Sequence, residues 1–409
     1  MTTEADVIEI AALGAQGDGV AEIAGGPRYV PFALPGERVR AGDDGRTELV
    51  SAPSPERRAP PCRHFGVCGG CVAQHMGDDL YAGWKRGVVV EAFQQHGLAP
   101  EIAPLLRVPP GSRRRAVLTA TQERGQITLG YHRRRSHDLF SLEECPVLVP
   151  AIIAALPGLR AIAAALGRRE ARLTVLATPI GLDVAADGGA GRLEARTAAL
   201  LATLAARHRI ARISLDGETI VELAKPGLSM GGVSVVPPPG AFVQAVAQAE
   251  AAMVDHVRAG VGKARRAADL FAGVGTFTFA LAPQTRVLAV DGDAKALAAL
   301  ADGARRASGL KPIETKMRDL FREPLSAKEL EAFDAVVLDP PRAGARAQAE
   351  ALARSQVPRV VYVSCNPGTL ARDARILVDG GYRLENVAPI DQFLFSAHVE
   401  SVAVLERTR

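Results

Sequence analysis

The 409-residue chain contains no uncharged apolar run approaching the roughly 18 residues that cross a bilayer, so no membrane span is expected. Its opening residues include Glu4, Asp6 and Glu9 and no basic stretch, so a secretory leader is not expected either, which places the protein in the cytoplasm. Cysteine is scarce: five residues are too few for a disulfide scaffold, and in a reducing compartment clustered thiols serve as metal ligands or catalytic groups. A strong charge imbalance is missing too, with a net charge of only +4. What is plentiful is apolar material: 48% hydrophobic residues over this length support two or three packed domains and exclude a disordered chain.

Residues 5–53 alternate strand-like runs with glycine and proline turns, a spacing that predicts a small β-barrel. Residues 51–61, "SAPSPERRAPP", read as a linker. Residues 146–235 mix Ala-rich helical stretches with strands and carry no recognisable chemistry, and "VPPPG" at 236–240 marks a boundary. Beyond it "AADLF", "RVLAVD", "FDAVVLD", "RVVYVSC" and "VESVAVLE" alternate with helical segments, which predicts an α/β domain with a doubly wound sheet and ligands at the strands' carboxyl ends. The expected division is 1–55, 56–240 and 241–409. Arginines cluster at 113–115 and 133–135, which suits a polyanionic partner and equally suits a solvated surface.

Cys62, Cys68 and Cys71 lie in "CRHFGVCGGC", and Cys145 follows in "LEECPVLVP". Four thiolates can complete a tetrahedral zinc site or a [4Fe–4S] cluster. The second Cys-x2-Cys pair of a zinc ribbon is absent, which favours iron–sulfur without deciding the metal.

"AADLFAGVGTFTFALA" brings Asp269, Leu270 and Phe271 to a strand end, with Gly273 and Gly275 in the turn that follows. The third glycine of a dinucleotide fingerprint is missing, which argues against a pyrophosphate. Asp291, about 20 residues on, can accept both ribose hydroxyls. A glycine turn and a ribose acid without a phosphate grip point to S-adenosylmethionine, with Asp319 in "MRDLF" as an acceptor for the adenine amino group.

"DPPR" at 339–342 stiffens a fourth strand end and offers Arg342 to a phosphate or carboxylate. An aromatic residue, usual at the Arg342 position in enzymes that methylate exocyclic amines, is absent. Cys365 in "VYVSCNPGTLARD" ends the fifth strand, where a thiolate could add to C6 of a pyrimidine and activate C5 toward a methyl sulfonium. The C5 proton must then leave. "SAHVES" offers Glu400 as the base, with His398 on the same strand face to orient the loop.

These motifs together resemble the RNA uracil-5 methyltransferase family, specifically its bacterial 23S ribosomal RNA branch, over nearly the whole length. The segment "GDGVAEIAGGPRYVPFALPGERVRA" is similar to the TRAM domain, an OB-like RNA-binding module. The resemblance implies a Rossmann-like class I methyltransferase domain preceded by a TRAM barrel and a mixed α+β iron–sulfur domain. It implies Cys365 as nucleophile, Glu400 as base, and Gln244, Phe271, Thr276, Asp291, Asp319 and Asp339 around S-adenosylmethionine. It further implies that Cys62, Cys68, Cys71 and Cys145 hold [4Fe–4S], and that a monomer acts on a single-stranded or loop uridine. Two departures stand out: Val246 replaces the family's usual Asn two residues after Gln244, leaving base orientation to Gln244 alone, and Asp291 replaces the commoner Glu. The alternatives are transfer RNA as substrate, cytosine-5 methylation, disfavoured by the lack of a second cysteine near Asp339, a silent RNA-binding protein, and a redox sensor.

Overall fold

A computed structural model of the chain describes residues 7–41, 47–188 and 193–408. The parts of the N-terminal barrel reading that fall on residues 5–6 and 42–46 lie outside the described residues.

The N-terminal segment forms two three-stranded antiparallel sheets, one from Val7–Glu9, Arg38–Ala41 and Thr47–Leu49, the other from Ala12–Leu13, Gly19–Ile23 and Gly26–Val30. Ile10, Ala21, Val30, Ala33 and Val39 make their shared core. Gly19 has a steric reason in this fold, because a Cβ there would sit 2.7 Å from the Ala33 carbonyl oxygen. The following stretch, expected as a linker, is tied down: Arg57 donates to both oxygens of buried Glu37 at 2.6 and 2.7 Å and to the Phe32 carbonyl.

Residues 115–222 build a seven-stranded mixed sheet in the order 139–141, 126–132, 115–123, 170–177, 182–187, 210–215, 218–222. One pair is parallel and helices Leu156–Leu166 and Ala195–Arg207 close its core.

Seven strands from the C-terminal part of the chain form the body of a nine-stranded sheet: β1 (Arg266–Leu270), β2 (Arg286–Asp291), β3 (Ile313–Met317), β4 (Ala335–Leu338), β5 (Arg359–Ser364), β6 (Tyr382–Asp391) and β7 (Glu400–Arg407). Their order is β3-β2-β1-β4-β5-β7-β6, parallel from β3 to β5, with β7 antiparallel between β5 and β6. Runs such as Ala335–Leu338 are buried throughout, as strands covered by helices on both faces must be.

Residues placed by sequence in the middle domain extend this sheet. Glu101–Ile102 and Leu106–Arg107 pair parallel to β6, and helix Asp78–Gln95 buries Val89 and Phe93 in the sheet's core alongside Leu370 and Leu377 of helix Pro367–Asp379. The segment that follows the cysteine loop therefore packs with the C-terminal sheet, because its apolar face finds its partner there. Among the described residues no helix is long and apolar enough to cross a membrane.

Candidate active site

The local sequence explains how Cys365 is presented. Strand β5 ends at Ser364, Asn366 caps the next helix by accepting from Gly368 N at 3.1 Å, and Pro367 takes the first helical position, where no N–H is needed. Cys365 is thus the single residue between strand and cap. Asn366 Nδ2 and Thr369 Oγ1 both donate to the Arg342 carbonyl, at 3.1 and 3.2 Å, which ties the Asp-Pro-Pro-Arg loop to the cysteine turn.

The antiparallel register supplies the facing group. Ser364 pairs with Ser401 at the end of the β5–β7 ladder, so one step outward Cys365 and Glu400 stand opposite each other on one face. Burial, then Glu400 and Asp339, push the Cys365 thiol up to about 11, while Arg342 acts in the other direction. Burial likewise pushes Glu400 up to about 7, against a hydrogen bond from Gln392. His398 sits in the turn before β7 rather than on the strand; its Nδ1 lies 3.4 Å from Arg342 Nη2, and burial and then Arg342 hold the imidazole below its usual range.

A chain of side-chain amides runs beneath this pair. Gln392 Nε2 donates to Glu400 Oε2 at 3.0 Å and to Gln244 Oε1 at 2.8 Å, and Gln244 Nε2 donates to Asp339 Oδ2 at 3.0 Å. Gln392 was not singled out from the sequence, where nothing distinguishes it in an apolar run. The side chain of Val246, at the position where a polar residue was expected, is buried in the core, and its N–H faces Gln392 Oε1 at 3.4 Å. The floor of the site therefore keeps a polar group, supplied by Gln392 rather than by residue 246.

The remaining predicted residues surround the turn after β1. Phe271 has φ 63°, a left-handed conformation rare for a bulky side chain, and its ring centroid is 5.4 Å from that of Phe321. Asp291 accepts from Gly273 N at 2.8 Å and Asp293 N at 2.7 Å, which fixes the carboxylate beside the glycine turn with lone pairs to spare for hydroxyls. Thr276 is partly buried at the first position of a short helix. Asp319 lies beyond β3, where its Oδ1 accepts from Phe321 N and Arg322 N, so it closes a turn and keeps Oδ2 toward Arg322. Asp269, fully buried, accepts from Thr278, and burial pushes it up to about 7.

The four other cysteines converge, since Cys68, Cys71 and Cys145 each have their thiols raised first by burial and also by other members of the group. Among the described residues no three ligating groups approach closely enough to hold a single metal ion. The sulfurs do accept N–H groups: Gly70 N at 3.3 Å from Cys68, Val147 and Leu148 amides at Cys145, and the Gln74 side chain at Cys71. Such donors stabilise thiolates, the form in which cysteine binds metal.

The arginine clusters are only partly available to a polyanion. Arg114 turns inward to Glu250 at 2.7 Å and to the Gln244 carbonyl, and Arg134 and Arg135 both pair with Asp18. Arg133 is exposed, and Arg135, though paired with Asp18, keeps 68% of its side chain exposed.

Comparison with known proteins decides the family. The sequence profile described as tRNA (Uracil-5-)-methyltransferase matches residues 188–408. An uncharacterized RNA methyltransferase of Rhizobium meliloti is 51% identical over 98% of this chain and 99% of that protein. The chain belongs to the tRNA (uracil-5-)-methyltransferase family. This RNA methyltransferase is also 36% identical, over 98% of its length and 90% of the relative's, to the 23S rRNA (uracil(1939)-C(5))-methyltransferase RlmD of Chromohalobacter salexigens. Its fold is similar to that of the Pyrococcus abyssi tRNA (uracil-54, C5)-methyltransferase solved with S-adenosyl-L-homocysteine, with TM-score 0.77, 23% identity, and 98% and 100% of the two chains covered. The chain is thus an RNA methyltransferase of mixed α/β architecture.

Proposed function

We propose that the enzyme methylates C5 of a uridine in 23S ribosomal RNA, with Cys365 as nucleophile and Glu400 as base. The observation that carries this reading is the β5–β7 register, which sets a thiol and a carboxyl group with a raised pKa face to face at the open end of the sheet. Cys365 Sγ, as thiolate, adds to C6, and the electron pair of the C5–C6 double bond makes C5 an enolate-like carbon. C5 takes the methyl group of S-adenosylmethionine, leaving S-adenosylhomocysteine. The Glu400 carboxylate then removes the C5 proton, the double bond re-forms, and the C6–S bond breaks to return the thiolate. Gln244, Phe271, Thr276, Asp291, Asp319 and Asp339 line the S-adenosylmethionine site in this reading.

Cys62, Cys68, Cys71 and Cys145 hold a [4Fe–4S] cluster that folds their loop, a reading supported by four soft donors with N–H groups on three sulfurs. The chain divides into a TRAM-like barrel at 1–55, a cluster domain drawn from 56–240 without its 78–107 segment, and a methyltransferase domain that joins that segment to 241–409, and it works in the cytoplasm as a monomer. The barrel and the exposed arginines hold RNA backbone while the target base leaves its stack. The 23S substrate is favoured by the 36% identity to a 23S-modifying relative across nearly the whole chain.

The test is transfer of labelled methyl groups from S-adenosylmethionine to unmodified 23S ribosomal RNA and, separately, to unmodified transfer RNA, followed by nucleoside analysis. Label in 5-methyluridine from the ribosomal RNA supports the reading. Label confined to transfer RNA or found in 5-methylcytidine overturns the substrate or the base.

A further inference from the structure

We infer that Gln392 is a positioning residue that holds the base and the cofactor-site glutamine in register for the deprotonation step. The inference rests on the reading of Cys365 and Glu400 given above. Gln392 is 1% exposed, and each part of its amide is committed. The Val246 N–H can only donate, so it fixes Oε1 at 3.4 Å and forces Nε2 toward the two acceptors, Glu400 Oε2 at 3.0 Å and Gln244 Oε1 at 2.8 Å. Gln244 is thereby oriented as well: with its oxygen engaged, its NH2 meets Asp339 Oδ2 at 3.0 Å. Donation thus runs from the Val246 amide outward to the Glu400 and Asp339 carboxyls, and reversal of any amide would set like groups against each other.

Position in the chain strengthens the argument. Gln392 follows Asp391, the last residue of β6, and Glu400 opens β7, so the two are joined by the turn that carries Phe393 and His398. Among the described residues Gln392 is the one side chain that donates to the Glu400 side chain. Glu400 is also faced by Asp339 and Cys365, with Arg342 and His398 at the rim and the Lys85–Asp391 pair behind the loop. None of these supplies a fixed hydrogen bond to the carboxyl group, so the aim of the base toward C5 depends on Gln392.

The test compares Gln392→Met and Gln392→Glu, the second nearly isosteric, with wild type and with Glu400→Gln. Each is assayed for S-adenosylmethionine binding, for turnover against pH, and for RNA bound covalently on a denaturing gel. Misaiming the base slows deprotonation by on the order of a hundredfold, so covalent RNA accumulates in the Gln392 variants as it does in Glu400→Gln. Without the donated hydrogen bond the carboxylate is less favoured, so the acidic limb of the turnover profile moves to higher pH. A residue that merely fills space would move neither readout. Variants that bind S-adenosylmethionine normally, show no adduct and keep the wild-type limb overturn the inference. So does loss of S-adenosylmethionine binding in both variants, which would make Gln392 structural. If Glu400→Gln itself yields no adduct while wild type methylates, the base assignment fails and the inference falls with it.

Discussion

Lys85 Nζ lies 2.6 Å from Asp391 Oδ1, and both side chains are fully buried although 306 residues separate them. Lys85 also donates to the His398 and Phe393 carbonyls, while Tyr81, one turn earlier on the same helix, donates to Asp391 and accepts from Phe395 N. Burial drives the ammonium pKa down and the carboxyl pKa up, each against the pull of its partner, so the pair is no source of net stability. Its effect is geometric: it fastens the loop that carries His398 and leads to Glu400. Lys85→Met should destabilise the fold by about 3–5 kcal/mol by stranding Asp391, and adding Asp391→Asn should recover part of that loss. Chemical denaturation of wild type and the two variants checks both steps.

Activity should rise with pH. Under the proposed mechanism Glu400 must be ionised to accept the C5 proton; burial pushes it up to about 7, and the thiol of Cys365 is pushed up to about 11. Both requirements have the same sign, so kcat/KM should climb from pH 6 to 9 instead of peaking at acidic pH. A pH profile at subsaturating RNA is the check, and a maximum near pH 6 would contradict the assignment.

Glu400 also carries a stability penalty. Glu400 titrates near 4.5 when unfolded and is raised to about 7 in the fold, so between those values the folded state binds more protons and stability falls as pH rises. Glu400→Gln removes that penalty. At pH 8 the variant should be inactive and more stable than wild type by about 1–3 kcal/mol, whereas at pH 4.5 the difference should nearly vanish. Thermal unfolding at the two pH values measures it.

Asp291 accepts from Gly273 N and Asp293 N, and in the proposed reading its remaining lone pairs take the ribose hydroxyls. Asp291→Ala should weaken S-adenosylmethionine binding by about ten- to a hundredfold, the loss expected for hydrogen bonds to a charged group. Calorimetric titration with S-adenosylhomocysteine provides the number.

The cysteine loop reaches the same catalytic loop by a second route, because Val72 N and Ala73 N, just past Cys71, both donate to the Phe395 carbonyl. If the proposed cluster is bound, Cys71→Ser should lower iron content and visible absorbance, and through these two bonds it should also reduce thermal stability. Unchanged stability with lost iron would argue against a folding role for the cluster.

The parts of this site that were legible in the sequence are those where a strand ends on a distinctive residue. Asp269, Asp291, Asp339 and Cys365 each stand at or just beyond the carboxyl end of a buried apolar run, and Glu400 opens the last one, whereas the period-two pairing with His398 did not hold because the strand begins only at Glu400. Gln392 was illegible because a glutamine between Asp391 and Phe393 looks like any loop polar residue until β6 and β7 close on it. Tyr81 and Lys85 belong to a helix whose other buried positions are Trp84, Val89 and Phe93, and their partners lie about 300 residues away, beyond any local pattern. Arg114 illustrates the opposite error: a basic cluster suggests surface, yet Glu250 and the Gln244 carbonyl draw it inward.

The central claim is covalent chemistry at Cys365, and fluorine tests it directly. Ribosomal RNA transcribed with 5-fluorouridine carries a C5 substituent that Glu400 cannot remove as a proton, so the methylated adduct should persist. Digestion and mass spectrometry should then find the fluorinated, methylated nucleotide on the peptide containing Cys365. An adduct on another residue, or full methyl transfer by a Cys365→Ala variant, would contradict the mechanism.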